Sequence, residues 1–162
     1  QALSDFAFRA MESLRKENLY TGRVTVYLRT APMGKPQQLF PDTLSAALSP
    51  ATADTRVVVH QALALLAQLW KPGYRYGKAG VILTDLRGRD QIQDGLFAQQ
   101  GEPDDRGNAL MTVMDTINQS GAGKVWLAGR GMQTDQRSAW AMRRAHLSPA
   151  YTSRWCDLPV AR

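Results

Sequence analysis

Arg23-Val24-Thr25-Val26-Tyr27-Leu28-Arg29-Thr30 alternates between polar and apolar side chains without a break. Successive side chains of a strand point to opposite faces, so this spacing predicts a half-buried strand over residues 23–30. Val24, Val26 and Leu28 make its core side, and Arg23, Thr25, Tyr27 and Arg29 make the other. Towards the N-terminus, Leu3, Phe6, Ala7, Ala10, Met11 and Leu14 recur at i, i+3, i+4 and i+7, the period of an amphipathic helix over 3–17. Arg9, Glu12, Arg15 and Lys16 fall on the opposite, solvent side of that helix. Asn18 and Gly22 break the helical pattern before the strand begins.

Beyond the strand, Pro32, Gly34, Pro36 and Pro41 predict a long loop, followed by a shorter strand over 43–48 that ends at Ser49-Pro50. Asp54 or Thr55 caps a second helix with Val58, Ala62, Leu65, Leu66 and Leu69 on one broad face. Lys71-Pro72-Gly73 stops it. Residues 74–85 alternate again, with Ala79, Val81 and Leu83 on one face and Tyr74, Tyr76, Lys78 and Ile82 on the other. Residues 1–86 therefore read α-β-β-α-β, an α+β unit in which two helices cover one face of a small antiparallel sheet. The uncovered face is expected to carry Arg23, Tyr27, Arg29, Tyr76 and Lys78. Guanidinium and ammonium groups neutralise phosphates, and tyrosine hydroxyls add neutral contacts that fix register, so this face is a candidate DNA-binding surface. A solvated face without a ligand carries the same residue types.

Residues 87–107 hold no lasting periodicity and read as a linker. Asn108 is expected to cap a third helix with Leu110, Val113, Met114 and Ile117 inward, closed by Gly121. Short strands over 124–129 and 138–144 and an irregular, Trp- and Tyr-rich end over 147–160 complete a small α+β tail over 108–162. The charge follows the same division. Residues 1–90 carry 12 basic and 7 acidic side chains, residues 91–108 carry 1 and 4, and residues 109–162 carry 7 and 3. The net charge of +6 is compatible with nucleic acid, a weak indication by itself. A chain of 162 residues buries roughly 70% of its unfolded surface, enough for a core of its own. No apolar run approaches the ~20 residues of a membrane span, and the single cysteine excludes an internal disulfide. The chain reads as cytosolic, and Gln1 running straight into helix pattern reads as a fragment of something longer.

Other motifs are better explained without chemistry. Gly121-Ala122-Gly123-Lys124 lacks two residues of a phosphate-binding loop, with Asn118 where a glycine belongs and Val125 where Ser or Thr belongs. A helix cap and turn account for its glycines. Asp104-Asp105 lies in the linker, His60 and His146 have no neighbouring carboxylate or cysteine, and Cys156 reads as a small packing residue.

Longer motifs carry a resemblance. Pro72-Gly73-Tyr74-Arg75-Tyr76-Gly77-Lys78-Ala79-Gly80-Val81-Ile82-Leu83 resembles the last strand of the little-finger domain of UmuC-type Y-family DNA polymerases. Leu110-Met111-Thr112-Val113-Met114-Asp115-Thr116-Ile117-Asn118 is similar to the helix of the UmuC C-terminal tail. Trp140-Ala141-Met142-Arg143-Arg144, Leu147-Ser148-Pro149, Tyr151-Thr152-Ser153 and Asp157-Leu158-Pro159 match the remainder of that tail in order.

The resemblance implies a β-α-β-β-α-β little finger that grips primer-template DNA, here without its first strand. Its absence is expected to leave an edge open to self-association beside residues 74–85. It implies no catalysis and no cofactor in this fragment, because the magnesium-holding palm belongs to the rest of such a polymerase. It places Gln93, Leu96 and Phe97 of Gln93-Asp94-Gly95-Leu96-Phe97 at the family's sliding-clamp-binding pentapeptide, with Asp94 departing from an apolar second position. The implied partners are primer-template DNA, the sliding clamp, a UmuD′-like protein and RecA, with no membrane, in a bacterial cytoplasm. The competing expectation is an interaction scaffold that never touches DNA.

Overall fold

The computed structural model describes residues 1–30, 41–92, 105–121, 123–130, 148–150 and 153–158. Helix α1 (Ala2–Lys16) buries Leu3, Ala7, Met11 and Leu14 along one stripe. Ion pairs Asp5–Arg9 at 2.9 Å and Glu12–Lys16 at 3.0 Å run one turn apart along its flanks. Asn18, at φ 54°, takes the left-handed conformation that a short polar side chain tolerates, and the helix stops there. Strand β1 (Leu19–Thr30) then starts four residues before the predicted position. Gly22 lies inside the strand instead of breaking it, because a Cβ at this position would collide with the Asp85 carboxylate on the neighbouring strand.

β1 is central. Strands β2 (Pro41–Thr52) and β3 (Tyr76–Gly88) flank it, both antiparallel, in the order β2-β1-β3. Val24 stands opposite Ala46 and Leu83, and Val26 opposite Leu44 and Val81, which makes one continuous apolar face. β2 runs through Ser49-Pro50 to Thr52, past its predicted end at Leu48. An edge strand accommodates a proline that donates no ladder bond, and the register with β1 shifts at this point.

Helix α2 (Thr55–Leu69) is capped as the sequence predicts. The buried Asp54 carboxylate accepts from the Arg56 backbone N–H at 2.7 Å and grips the Arg56 guanidinium at 2.6–3.2 Å. Val58, Ala62, Leu65 and Leu69 join the α1 stripe and the inner face of the sheet in one core, so both helices cover the same face. This is the small α+β arrangement read from the sequence.

Helix α3 (Asp105–Ser120) begins three residues before Asn108 and is turned relative to its predicted face. Met111 is 1% exposed, whereas Leu110 and Val113, expected inward, are 40% and 55% exposed. Gly107 and Met111 are the buried positions, and Asp115, the next position in that i+4 row, meets α1. Gly121, at φ 76°, closes the helix. The Asn118 amide then donates to the Val125 carbonyl at 2.9 Å and accepts from its N–H at 2.7 Å. The two residues that spoil the phosphate-loop pattern therefore hold each other. Residues 124–127 form no strand; the Val125 backbone pairs with the Asn118 side chain, and a 3-10 turn follows at Ala128–Arg130.

The strand expected at 138–144 lies outside the described residues. The chain divides into two compact units, Gln1–Met132 and Gln133–Arg162. In the second, the Ala150 carbonyl accepts from Ser153 and Arg154, and the Asp157 carboxylate accepts from the Ala150 N–H at 2.9 Å. Cys156 is exposed in the 3-10 turn Trp155–Asp157 and so is not the packing residue the sequence suggests.

Candidate nucleic-acid interface

The pleat of β1 sends Arg23, Thr25, Tyr27 and Arg29 to the face away from α1 and α2. Directly across on β3 stand Thr84, Ile82, Gly80 and Lys78, and across on β2 stand Ala47, Ser45 and Thr43. Arg29 and Lys78 are thus cross-strand partners of like charge, an arrangement that destabilises a sheet unless an anion lies over it. Both are exposed, and among the described residues Arg23, Arg29 and Lys78 form no ion pair. Thr25 and Ser45 share a 2.8 Å hydrogen bond beside the exposed Ile82, so the middle of the face is uncharged.

Tyr27 is held flat. Its ring lies across Gly80, where an added Cβ would overlap the ring carbons, so the glycine seats the aromatic on its cross-strand neighbour. We expect Gly80→Ala to lift the ring and to cost about 1–3 kcal/mol through overpacking. Thermal melts of Gly80→Ala alone and combined with Tyr27→Ala check this, because removing the ring should erase most of the penalty.

Tyr76 does not belong to this face. Arg29 pairs with Lys78 but Thr30 pairs with Tyr76, so Gly77 is an extra residue that reverses the alternation. Tyr76 consequently packs against the core on the helix side, 4.7 Å from the Trp70 ring, with its hydroxyl on the backbone of Lys71. Four of the five residues expected on the face are gathered there. Gln93, Leu96 and Phe97 lie outside the described residues.

Sequence reasoning missed the Arg15 clasp. Arg15, expected in solvent, sends Nε and Nη2 to the two carboxylate oxygens of Asp115 at 2.6 and 2.9 Å. Its Nη1 donates to Thr55 Oγ1 at 2.6 Å and to the Ala53 carbonyl at 3.3 Å. One guanidinium thereby ties α1, the start of α2 and α3, a bidentate geometry that suits arginine. A cleft of about 640 Å³ opens beside it, with Lys16, Asn108 and Thr112 on its walls, so the pair is only partly withdrawn from water. No local spacing announces a contact between residues 100 apart.

His60 is exposed, and among the described residues no three His, Cys, Asp or Glu side chains converge as metal ligands. No described helix is long and apolar enough to cross a membrane.

Comparison with known proteins places this geometry. The impB/mucB/samB family C-terminal domain matches residues 1–96, more than half of the chain. The chain belongs to this family. A domain of unknown function, DUF4113, matches residues 108–161. Protein ImpB of Salmonella typhimurium is 40% identical over 162 residues, all of this chain and 37% of that protein. Protein MucB of Escherichia coli is 37% identical over 161 residues, 99% of this chain and 37% of its own length. Protein UmuC of Salmonella typhimurium LT2 is 35% identical over 159 residues, 98% of this chain and 36% of its own length. The resemblance to UmuC-type proteins therefore holds along the chain, which spans a little over a third of the length of these relatives. In this impB/mucB/samB chain, helix α3 from residue 108 onward, with Asp115, falls within the DUF4113 match, while the α1 and α2 groups it meets at Arg15 fall within the family domain.

Proposed function

We propose that this chain is the DNA-binding and protein-interaction part of an error-prone translesion DNA polymerase that acts in SOS mutagenesis and DNA repair. The observation that carries the reading is the like-charged pair Arg29 and Lys78, opposite each other and without an ion pair among the described residues, on a face that also presents Arg23 and Tyr27. Phosphates laid across that face relieve the repulsion and release counterions from the DNA. The grip is on the backbone of primer-template duplex and largely indifferent to sequence. Polymerase chemistry and its magnesium are assigned to the remainder of such a protein. A UmuD′-like protein and RecA are the further partners of this reading.

The competing scaffold reading draws on the exposed Leu110 and Val113 of α3, apolar side chains that suit a protein partner. Binding of a fluorescent primer-template duplex at rising salt separates the two. A DNA module binds and weakens steeply with salt, and a scaffold gives no binding at any salt.

Gln93, Leu96 and Phe97 are proposed to tether the chain to the sliding clamp. Burying Leu96 and Phe97 in a partner groove contributes roughly 3–5 kcal/mol, and ordering a peptide that contains Gly95 offsets much of it. A micromolar interaction, about −8 kcal/mol at most, is the expected result. Changing Leu96 and Phe97 together to alanine should abolish clamp capture on a biosensor and leave the melting temperature unmoved. A drop in melting temperature with no clamp capture by the unmodified chain would mean that the two side chains pack on the chain itself.

A further inference from the structure

We infer that Trp70 and Tyr76 form a stacking platform for an unpaired base where a single strand leaves the duplex held on the sheet face. The inference rests on the DNA-binding reading and extends it from duplex to overhang. Trp70, the residue that ends α2, stays 54% exposed although it is one of the largest apolar side chains in the molecule. One side of its ring packs on Tyr76, with centroids 4.7 Å apart and planes tilted by 37°. Tyr76 is itself fixed. The Gly77 bulge turns it to the helix side, and its hydroxyl accepts from the Lys71 N–H at 2.9 Å and donates to the Lys71 carbonyl at 3.3 Å. The indole is therefore braced by Tyr76 and more than half exposed, an arrangement that can receive a base with little ordering cost of its own.

Its position points to nucleic acid and not to an apolar partner. Tyr76 pairs with Thr30, the last residue of β1, and Lys71 reaches Asp42 at the start of β2 at 3.4 Å. The platform thus stands on the helix side of the sheet, at the end whose other face carries Arg29 and Lys78, so a strand leaving the duplex reaches it around that end. Arg75 lies between platform residues in the chain, exposed and without an ion pair among the described residues. An aromatic surface with Lys71 and Arg75 beside it in the chain suits a base with its phosphate, because stacking tolerates any base and the cations follow the backbone. A purely apolar partner would desolvate the exposed Arg75 without compensation.

The test compares three labelled DNAs on the 162-residue chain by fluorescence anisotropy. They are a blunt duplex, the same duplex with a single-stranded overhang of about four thymines, and the same overhang built from abasic sites. The two overhangs carry equal charge, so only stacking separates them. The expected result is about tenfold tighter binding of the thymine overhang than of the abasic one. Trp70→Leu should bring the two together without changing blunt-duplex affinity. Equal affinity for both overhangs in the unmodified chain overturns the platform, and so does a preference that survives Trp70→Leu. Failure to bind blunt duplex overturns the duplex grip instead, and a thymine preference found without it would sustain the platform alone.

Discussion

Asp115→Ala is expected to lower the melting temperature of the chain by about 5–10 °C, the equivalent of roughly 2–3 kcal/mol. The Arg15–Asp115 pair is bidentate at 2.6 and 2.9 Å, and its side chains are only 14% and 20% exposed. Removing the carboxylate leaves a guanidinium held in place by Thr55 and the Ala53 carbonyl with its charge unmet. Breaking one partner of a fully buried pair costs about 3–5 kcal/mol, and the cleft beside this one admits water, which sets the lower figure. Arg15→Ala should cost more than Asp115→Ala, because it also strips the Thr55 hydroxyl and the Ala53 carbonyl of a donor. Arg9→Ala is the control. Its partner Asp5 sits one helical turn away and the Arg9 side chain is 68% exposed, so a change within about 0.5 kcal/mol is expected. A melting temperature unmoved by Asp115→Ala would mean that α3 does not depend on the clasp.

The second large effect concerns the sheet face, where stability and binding should move in opposite directions. Arg29→Glu places a carboxylate directly opposite Lys78 and turns repulsion into attraction. The fold should gain about 0.2–1 kcal/mol. The same change removes a proposed phosphate contact and adds a negative charge, so duplex affinity should fall on the order of tenfold. Reversing Lys78 as well restores a like-charge pair of the other sign and should bring the loss to on the order of a hundredfold, with the stability gain gone. Chemical denaturation and anisotropy on the same three proteins read both quantities. A fold that is stabilised by Arg29→Glu while DNA affinity holds would leave the pair without a ligand.

The contrast between β1 and its neighbours explains what the sequence discloses. The β1 alternation is legible because one face of that strand is buried and its register has no break over 23–29. From it follow the apolar face, the side on which the helices pack, and four of the five residues on the opposite face. Period-2 counting misplaces Tyr76 because it assumes an unbroken pleat, and one extra residue at Gly77 reverses every side chain before it. The face expected for α3 differs from the observed one because apolar residues at 110, 111, 113, 114 and 117 surround the helix and leave its period ambiguous. Its orientation is fixed by a charged residue, Asp115, that binary patterning assigns to solvent. Arg15 was misplaced for the same reason. A long-range ion pair has no local signature, whereas the Asp54 cap, set by neighbours two residues apart, was readable at once.

The central claim is that the uncovered sheet face holds phosphates through Arg23, Arg29 and Lys78. The measurement that tests it most directly is the salt dependence of binding to a primer-template duplex. With about three phosphates neutralised, the logarithm of the association constant should fall against the logarithm of salt concentration with a slope near −2.7. Reversing Arg29 and Lys78 should flatten the slope to about −1. A slope that is already near zero in the unmodified chain, or one that survives both reversals, contradicts the account.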